Sequence, residues 1–301
     1  MSVLLPWPGT ELSDLPPGLD VQVWDGKGDA PALEDVRFFV QPYTFDPESY
    51  ELVDRMPRLE VVQTQTAGVE HIVPHLPAGV TLCNARGVHD ASTAELAVGL
   101  ALASQRDLPS LVRAQDEGRW TQHTRPSLAD RTVLILGYGS IGAAIERRLE
   151  GFEVEVLRVA SRARDGVSPV EDLPDLLPRT DVVIVVVPLT DETRGLVGAD
   201  FLARLPDDAL LVNVARGGVV DTDALLVELE SGRLRAALDV TDPEPLPPEH
   251  PLWRAPGVVI TPHVGGATSA MDPRIRSLVG AQLVRFAAGE PLDNVVIQGN
   301  R

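Results

Sequence analysis

Residues 132–149 read TVLILGYGSIGAAIERRL. The first five form a short apolar run of the kind that makes a buried strand, and from Ser140 onward the apolar positions recur at helical spacing. Between the two, Gly137, Gly139 and Gly142 spell G-x-G-x-x-G. A strand that turns directly into a helix here brings backbone N–H groups and the positive end of the helix dipole to one point. The first glycine permits the tight turn, the second the close approach of a pyrophosphate, and the third close packing of helix on strand. A further strand follows about 20 residues on, so the spacing predicts a dinucleotide site. A purely structural turn in an unrelated α/β domain is the alternative.

That further strand ends unusually. Residues 154–164 read VEVLRVASRAR, and Ala160 stands where an acid would accept the two ribose hydroxyls. Ser161, Arg162 and Arg164 follow. An adenosine 2′-phosphate would be repelled by an acid and attracted by guanidinium groups, with Ser161 as an extra donor. NADP(H) is therefore expected over NAD(H), which stays the alternative if the two arginines are merely solvated. Arg158, within the strand, is not expected to take part.

Outward from this unit, DVVIVVVPL, ALLVNVA, AALDV and VVITPH are further buried strands separated by helices, the pattern of a doubly wound parallel sheet. Before it, VLLPW, VQVW, VRFFVQP, LEVVQTQT and VTLCNA alternate with turn-rich or helical stretches, suggesting a smaller parallel α/β unit. Between the two, a helical stretch from about Ser92 to Glu117 carries Leu96, Leu100, Ala103, Leu108 and Leu111 on its apolar face, with Ser92 or Thr93 as N-cap. An amphipathic helix is expected over Pro273 to Gly289. With 301 residues, two domains are the natural expectation. A net charge of −18 argues against a nucleic-acid partner. The single cysteine, Cys83, lies in a strand-like run and excludes an intrachain disulfide. The N-terminal segment lacks the basic start of a signal peptide, and no apolar run reaches the ~20 residues of a membrane span. A cytoplasmic protein without a membrane partner is expected.

Three late stretches, LLVNVARGGVVD (210–221), ALDVTDPEPL (237–246) and VVITPHVGGAT (258–268), each end an apolar strand in polar residues. Ligands of open parallel sheets sit beyond the carboxyl ends of the strands, so Arg216, Glu244 and His263 are expected to converge there. With TAGVEHI (66–72), ASTAELAVGLALASQR (91–106), LGYGSIG and VVPLTDETRGL (186–196), these motifs closely resemble the D-isomer-specific 2-hydroxyacid dehydrogenases, notably the NADP-preferring glyoxylate/hydroxypyruvate reductases. The resemblance spans roughly residues 60 to 297.

The resemblance implies a Rossmann-type doubly wound domain (91–272) inserted into a smaller, flavodoxin-like α/β substrate-binding domain (1–90 and 273–301). The active site would lie in the cleft between them. It implies Arg216, Glu244 and His263 as the catalytic set, reducing a small 2-keto acid to a D-2-hydroxy acid. The chemistry suits these residue types: an Arg fork takes a carboxylate and polarises the neighbouring ketone, and an imidazolium oriented by a carboxylate delivers the proton. Besides Arg216 and His263, the backbone of Ala67, Gly68 and Val69 would bind substrate. Ser140 and Ile141 would head the phosphate-binding helix, and Pro188 would line the cofactor cleft. Val214 and Ala215 would pass beside the nicotinamide, Asp239 would hold its carboxamide, and Gly265 would lie by the histidine. No metal is implied. Many relatives carry Arg or Asn at the position of Ser140. Trp7, Tyr43 and His71 lack counterparts; Tyr43 either reaches the substrate pocket or is a half-buried loop aromatic. The resemblance implies a homodimer, and the 92–117 stretch would either reach a second subunit or brace the domains. A dinucleotide-sensing corepressor-like protein, and an NAD-dependent dehydrogenase of phosphite or formate, are the rival functions.

Overall fold

The computed structural model describes residues 1–12, 15–44 and 46–299, and the chain falls into two compact units, Met1–His89 with Ser269–Arg301, and Asp90–Thr268. The second unit takes up the chain at Asp90 and returns it at Ser269, ahead of Pro273, because the closing helix already begins at Met271.

The first unit runs β1 (Ser2–Leu5), β2 (Asp20–Val23), β3 (Val36–Val40), α1 (Pro47–Glu51), β4 (Val61–Gln63) and β5 (Thr81–Cys83). The second runs α2 (Asp90–Gln105), α3 (Leu108–Asp116), β6 (Thr132–Leu136), α4 (Ser140–Leu149), β7 (Glu155–Ala160), β8 (Ser168–Pro169), α5 (Leu173–Leu176), β9 (Val182–Val185), α6 (Ala199–Leu202), β10 (Leu210–Asn213), α7 (Thr222–Glu230), β11 (Arg235–Leu238) and β12 (Val258–Ile260). The chain then returns to the first unit with α8 (Met271–Ala288) and β13 (Val295–Ile297).

In the first unit the sheet order is β13-β5-β4-β3-β1-β2, parallel throughout except for β13, which pairs antiparallel with β5. The closing helix α8 buries Ile275, Val279, Leu283 and Phe286 against strand residues such as Val3, Phe38 and Val61. Gln282, on the same face, is fully buried; its amide donates to Gln63 Oε1 (3.0 Å) and to the Asp293 carbonyl (2.8 Å), while its oxygen accepts from Asp293 N–H. A buried amide must be satisfied in this way or cost roughly 1–3 kcal/mol. These bonds tie the helix to β4 and to the approach of β13, which the sequence did not announce.

The second unit has a parallel sheet in the order β12-β11-β10-β9-β6-β7-β8. The chain starts in the middle at β6, winds outward through β7 and β8, then crosses back to β9 and on to β12. The winding direction therefore reverses between β6 and β9, where loops leave the two carboxyl ends in opposite directions and open a crevice. Val133, Leu134, Ile135 and Leu136 of β6 are fully buried, as central strands covered on both faces must be. Burying each such side chain contributes on the order of 1.5–3 kcal/mol.

Two expectations need correction. The 92–117 stretch is two helices: Asp107 adopts a left-handed conformation (φ 50°) between them, and Pro109, which has no N–H to donate, opens α3. Nor does Ser92 or Thr93 cap α2. Both lie inside it and are buried, because the helix starts at Asp90, whose carboxylate complements the dipole in the first turn. Among the described residues no helix is long and apolar enough to cross a membrane.

Candidate active site

At the crevice between β6 and β9, Gly137 has φ 108°, and a Cβ built on it would stand 2.6 Å from the carbonyl carbon of Val186 in the loop after β9. A Cβ on Gly142 would stand 2.7 Å from the Gly137 oxygen. Strand, turn and helix therefore pass too close for any side chain at either position. Gly139 differs: a Cβ there meets nothing within 4 Å, and no side chain caps α4, of which it is the N-cap. The first N–H groups of that helix, beginning with Ser140 and Ile141, thus lack a side-chain cap at the positive end of the dipole, beside a glycine whose Cβ position is open. These residues fit a dinucleotide pyrophosphate. Pro188 follows β9 on the exposed loop whose carbonyl at that residue accepts from Thr193 Oγ1 (2.6 Å).

At the end of β7, Ser161, Arg162 and Arg164 are all exposed. Arg164 donates to the Tyr138 carbonyl, and its guanidinium lies over the Tyr138 ring, 5.7 Å from the centroid. Arg158, set aside on sequence grounds, is held by Glu146, one of its bonds being 2.9 Å. That pairing pulls the Glu146 carboxyl below the usual carboxylate range.

Further along the sheet the register places Asn213, Leu238 and Ile260 side by side at the ends of β10, β11 and β12. Neighbouring strands are about 5 Å apart, so the residues that follow emerge in a row. Arg216 comes three residues after Asn213. Its turn is pinned by the buried Asn213 amide, whose oxygen accepts from Ala215 N–H (3.0 Å) and whose nitrogen donates to the Arg216 carbonyl (3.0 Å). The guanidinium donates to the Ala215 carbonyl (2.7 Å), and Val214 and Ala215 are themselves buried. Gly217 follows because a Cβ there would come within 1.9 Å of the Thr241 oxygen.

Three residues beyond Ile260, His263 takes a left-handed conformation (φ 52°), which costs on the order of 1 kcal/mol and has to be held in place. Asp239, only 3% exposed at the end of β11, holds it: its carboxylate accepts from Thr261 Oγ1 (2.6 Å), Val264 N–H (2.9 Å) and Gly265 N–H (2.9 Å). The carboxylate assigned on sequence grounds to a nicotinamide amide therefore has an observed task of its own, fastening the loop that presents His263. Glu244 Oε1 accepts from His263 Nδ1 at 2.5 Å. An ionised carboxylate can only accept, which assigns the ring proton of this bond to Nδ1.

In the other unit the 66–69 loop after β4 is also oriented by side chains. Asn84 Nδ2 donates to the Ala67 carbonyl (2.7 Å), and Thr66 Oγ1 donates to the Gly68 carbonyl (2.6 Å). A planar trans peptide points its N–H opposite its C=O, so these bonds turn the amides of Gly68 and Val69 the other way, free to bind an anion. Tyr43 lies beside His89, ring centroids 6.1 Å apart.

Asn213, Thr261, Thr66 and Asn84 were not singled out in the sequence, although all four lie within stretches quoted there. Asn213, Thr66 and Asn84 work by bonding backbone in a loop, and Thr261 by bonding the Asp239 carboxylate, a geometry that one-dimensional spacing does not contain.

The model of the D-isomer specific 2-hydroxyacid dehydrogenase NAD-binding domain matches residues 98–265. The chain is 34% identical to a glyoxylate reductase of Thermofilum pendens, over 95% of this chain and 90% of that one. It is 35% identical to the human glyoxylate reductase/hydroxypyruvate reductase, over 78% and 76% of the two chains. A crystal structure of an NADPH-dependent glyoxylate/hydroxypyruvate reductase from Sinorhizobium meliloti, in complex with NADP and sulfate, superimposes with a TM-score of 0.83 at 29% identity, covering 99% of this chain and 98% of that one. With its two parallel α/β sheets and its nucleotide crevice, this chain belongs to the D-isomer specific 2-hydroxyacid dehydrogenase family, NAD(P)-dependent oxidoreductases that act on the CH–OH group of small hydroxy acids.

Proposed function

We propose that this protein is an NADPH-preferring reductase that converts small 2-keto acids of the glyoxylate and hydroxypyruvate class to D-2-hydroxy acids. The observation that carries the chemistry is the 2.5 Å bond from His263 Nδ1 to Glu244, on the loops that follow two neighbouring strands. Arg216 binds the substrate carboxylate and polarises the adjacent carbonyl oxygen through its planar fork of donors. Protonated His263, with Nδ1 engaged by Glu244, gives the Nε2 proton to the oxygen that becomes the hydroxyl. In oxidation the same nitrogen takes the proton back. A nicotinamide bound there would supply the hydride. Val214, Ala215, Pro188 and Gly265 belong to the cofactor's surroundings in this reading, and the amides of Ala67, Gly68 and Val69 are a second carboxylate-binding element. The unit Asp90–Thr268 is then the cofactor-binding domain and the other the substrate-binding domain.

Three features support NADPH. Ala160 leaves no acid to repel a 2′-phosphate, Ser161 and Arg162 are exposed beside it, and Arg162 pairs with no carboxylate among the described residues. A homodimer in the cytoplasm completes the reading. Leu108 and Val112 on α3 and Trp120 just beyond it, 47%, 55% and 94% exposed, supply apolar surface for a second copy.

The test is oxidation of NADPH and of NADH by purified protein with glyoxylate, hydroxypyruvate, pyruvate and 2-ketobutyrate. Turnover with glyoxylate or hydroxypyruvate at least tenfold more efficient with NADPH is expected. No turnover with any 2-keto acid would overturn the reaction, and equal use of NADH the cofactor preference.

A further inference from the structure

We propose that Tyr138, the residue between the first two glycines of the fingerprint, is a positioning residue for cofactor discrimination: its ring and carbonyl hold Arg164 ready for the 2′-phosphate of the adenosine ribose. This rests on the NADPH preference proposed above and names the device behind it.

Of the arginines at the end of β7, two lie over the Tyr138 ring, with the guanidinium carbons of Arg158 and Arg164 each 5.7 Å from its centroid. They are in opposite electrostatic states. Arg158 is bonded through two nitrogens to Glu146, so its charge is spent. Arg164 has no carboxylate partner among the described residues; its guanidinium donates to the Tyr138 carbonyl and lies over the Tyr138 ring. One of its five donors is used there, which leaves a full positive charge and the remaining donors for an anion.

Both ends of Arg164 are fixed. Its backbone exchanges bonds with Val167 (2.8 and 3.2 Å), closing the turn after β7, and its guanidinium rests on Tyr138. Tyr138 is fixed in turn by its own N–H on the Val159 carbonyl (2.9 Å) and by its hydroxyl, which donates to Glu146. That bond raises the phenol's pKa and fixes the ring whose face the cation meets. The Glu146–Arg158 pair thus serves as the anchor of the platform, while Arg164 reads the phosphate. Holding a long, exposed side chain in place removes the ordering cost that binding would otherwise carry.

The test is titration of NADPH and NADH binding by nicotinamide fluorescence in the wild type, Tyr138→Leu, Tyr138→Phe, Arg164→Ala and the double variant Tyr138→Leu/Arg164→Ala. Removing the ring is expected to reduce the ratio of NADPH to NADH affinity about five- to tenfold, the scale of one cation–π contact with its ordering effect. Tyr138→Phe, which keeps ring and carbonyl, should retain most of the ratio. With Arg164 already removed, Tyr138→Leu should change it less than twofold. A Tyr138→Leu ratio equal to wild type would overturn the inference, and so would an equal loss with and without Arg164. A wild type that binds both cofactors equally would instead overturn the NADPH reading, and this inference with it.

Discussion

Replacing Asp239 by Asn probes how the active-site loop is held. The two side chains have the same shape, but Asn offers one carbonyl oxygen where the carboxylate offers two. With that oxygen in place of Oδ1, the bonds from Thr261 and Val264 survive with a neutral acceptor. The amide nitrogen then stands 2.9 Å from Gly265 N–H, donor against donor. A bond to a charged group is worth about 1.5–3 kcal/mol and a neutral one about half as much, so the change costs roughly 3 kcal/mol. Nothing at a 3%-exposed position lets water take over. For a domain the size of Asp90–Thr268 that corresponds to a fall in Tm of about 6–12 °C. The loop it fastens carries His263 at φ 52°, and a loop displaced by about 1 Å would lower kcat/KM on the order of 100-fold. Differential scanning calorimetry and NADPH oxidation with glyoxylate measure the two effects. A Tm within 2 °C and kcat/KM within threefold of wild type would refute the account. A loss of kcat/KM at unchanged Tm would move Asp239's role from the loop to the cofactor.

Glu244→Gln keeps an acceptor for His263 Nδ1 but removes the carboxylate charge beside the proton-transferring ring; kcat/KM for 2-keto acid reduction should fall about 10- to 100-fold, and a fall under twofold would remove Glu244 from the mechanism. Gly217→Ala forces a methyl to within 1.9 Å of the Thr241 backbone oxygen, so one of the two segments must move; urea unfolding should show a loss of roughly 2–3 kcal/mol together with impaired turnover, and an unchanged midpoint would mean that the Arg216 turn yields freely.

The fingerprint at 137–142 was readable in one dimension because its glycines answer to steric demands only one or a few residues away. The same holds for the runs of Val, Leu and Ile that became β6, β9 and β10, since burial on both faces leaves no polar position to confuse the pattern. Less legible were the elements defined by partners far along the chain. The strand β13 exists through its pairing with β5, about 200 residues earlier. The break at Asp107 was hidden because apolar spacing continues across it and only the following Pro109 hints at a new start. Arg158 and Arg164 look alike in VEVLRVASRAR, and which of them has its charge compensated within the protein depends on Glu146 lying across from one and not the other.

The order and type of the chemical groups, a guanidinium, a carboxylate and an imidazole behind successive buried strands, were a property of the chain alone, since strand length and side-chain alternation are local. Which atoms those groups present was decided only in three dimensions. The pairing of His263 Nδ1 with Glu244, the left-handed bend that carries the imidazole, and the bonds of Asp239 and Asn84 that orient the loops join segments distant in sequence, whereas Asn213 and Thr66 bond backbone two or three residues away in turns that only the folded chain fixes. Such bonds are directional and short-ranged, and no periodicity in the sequence encodes their direction.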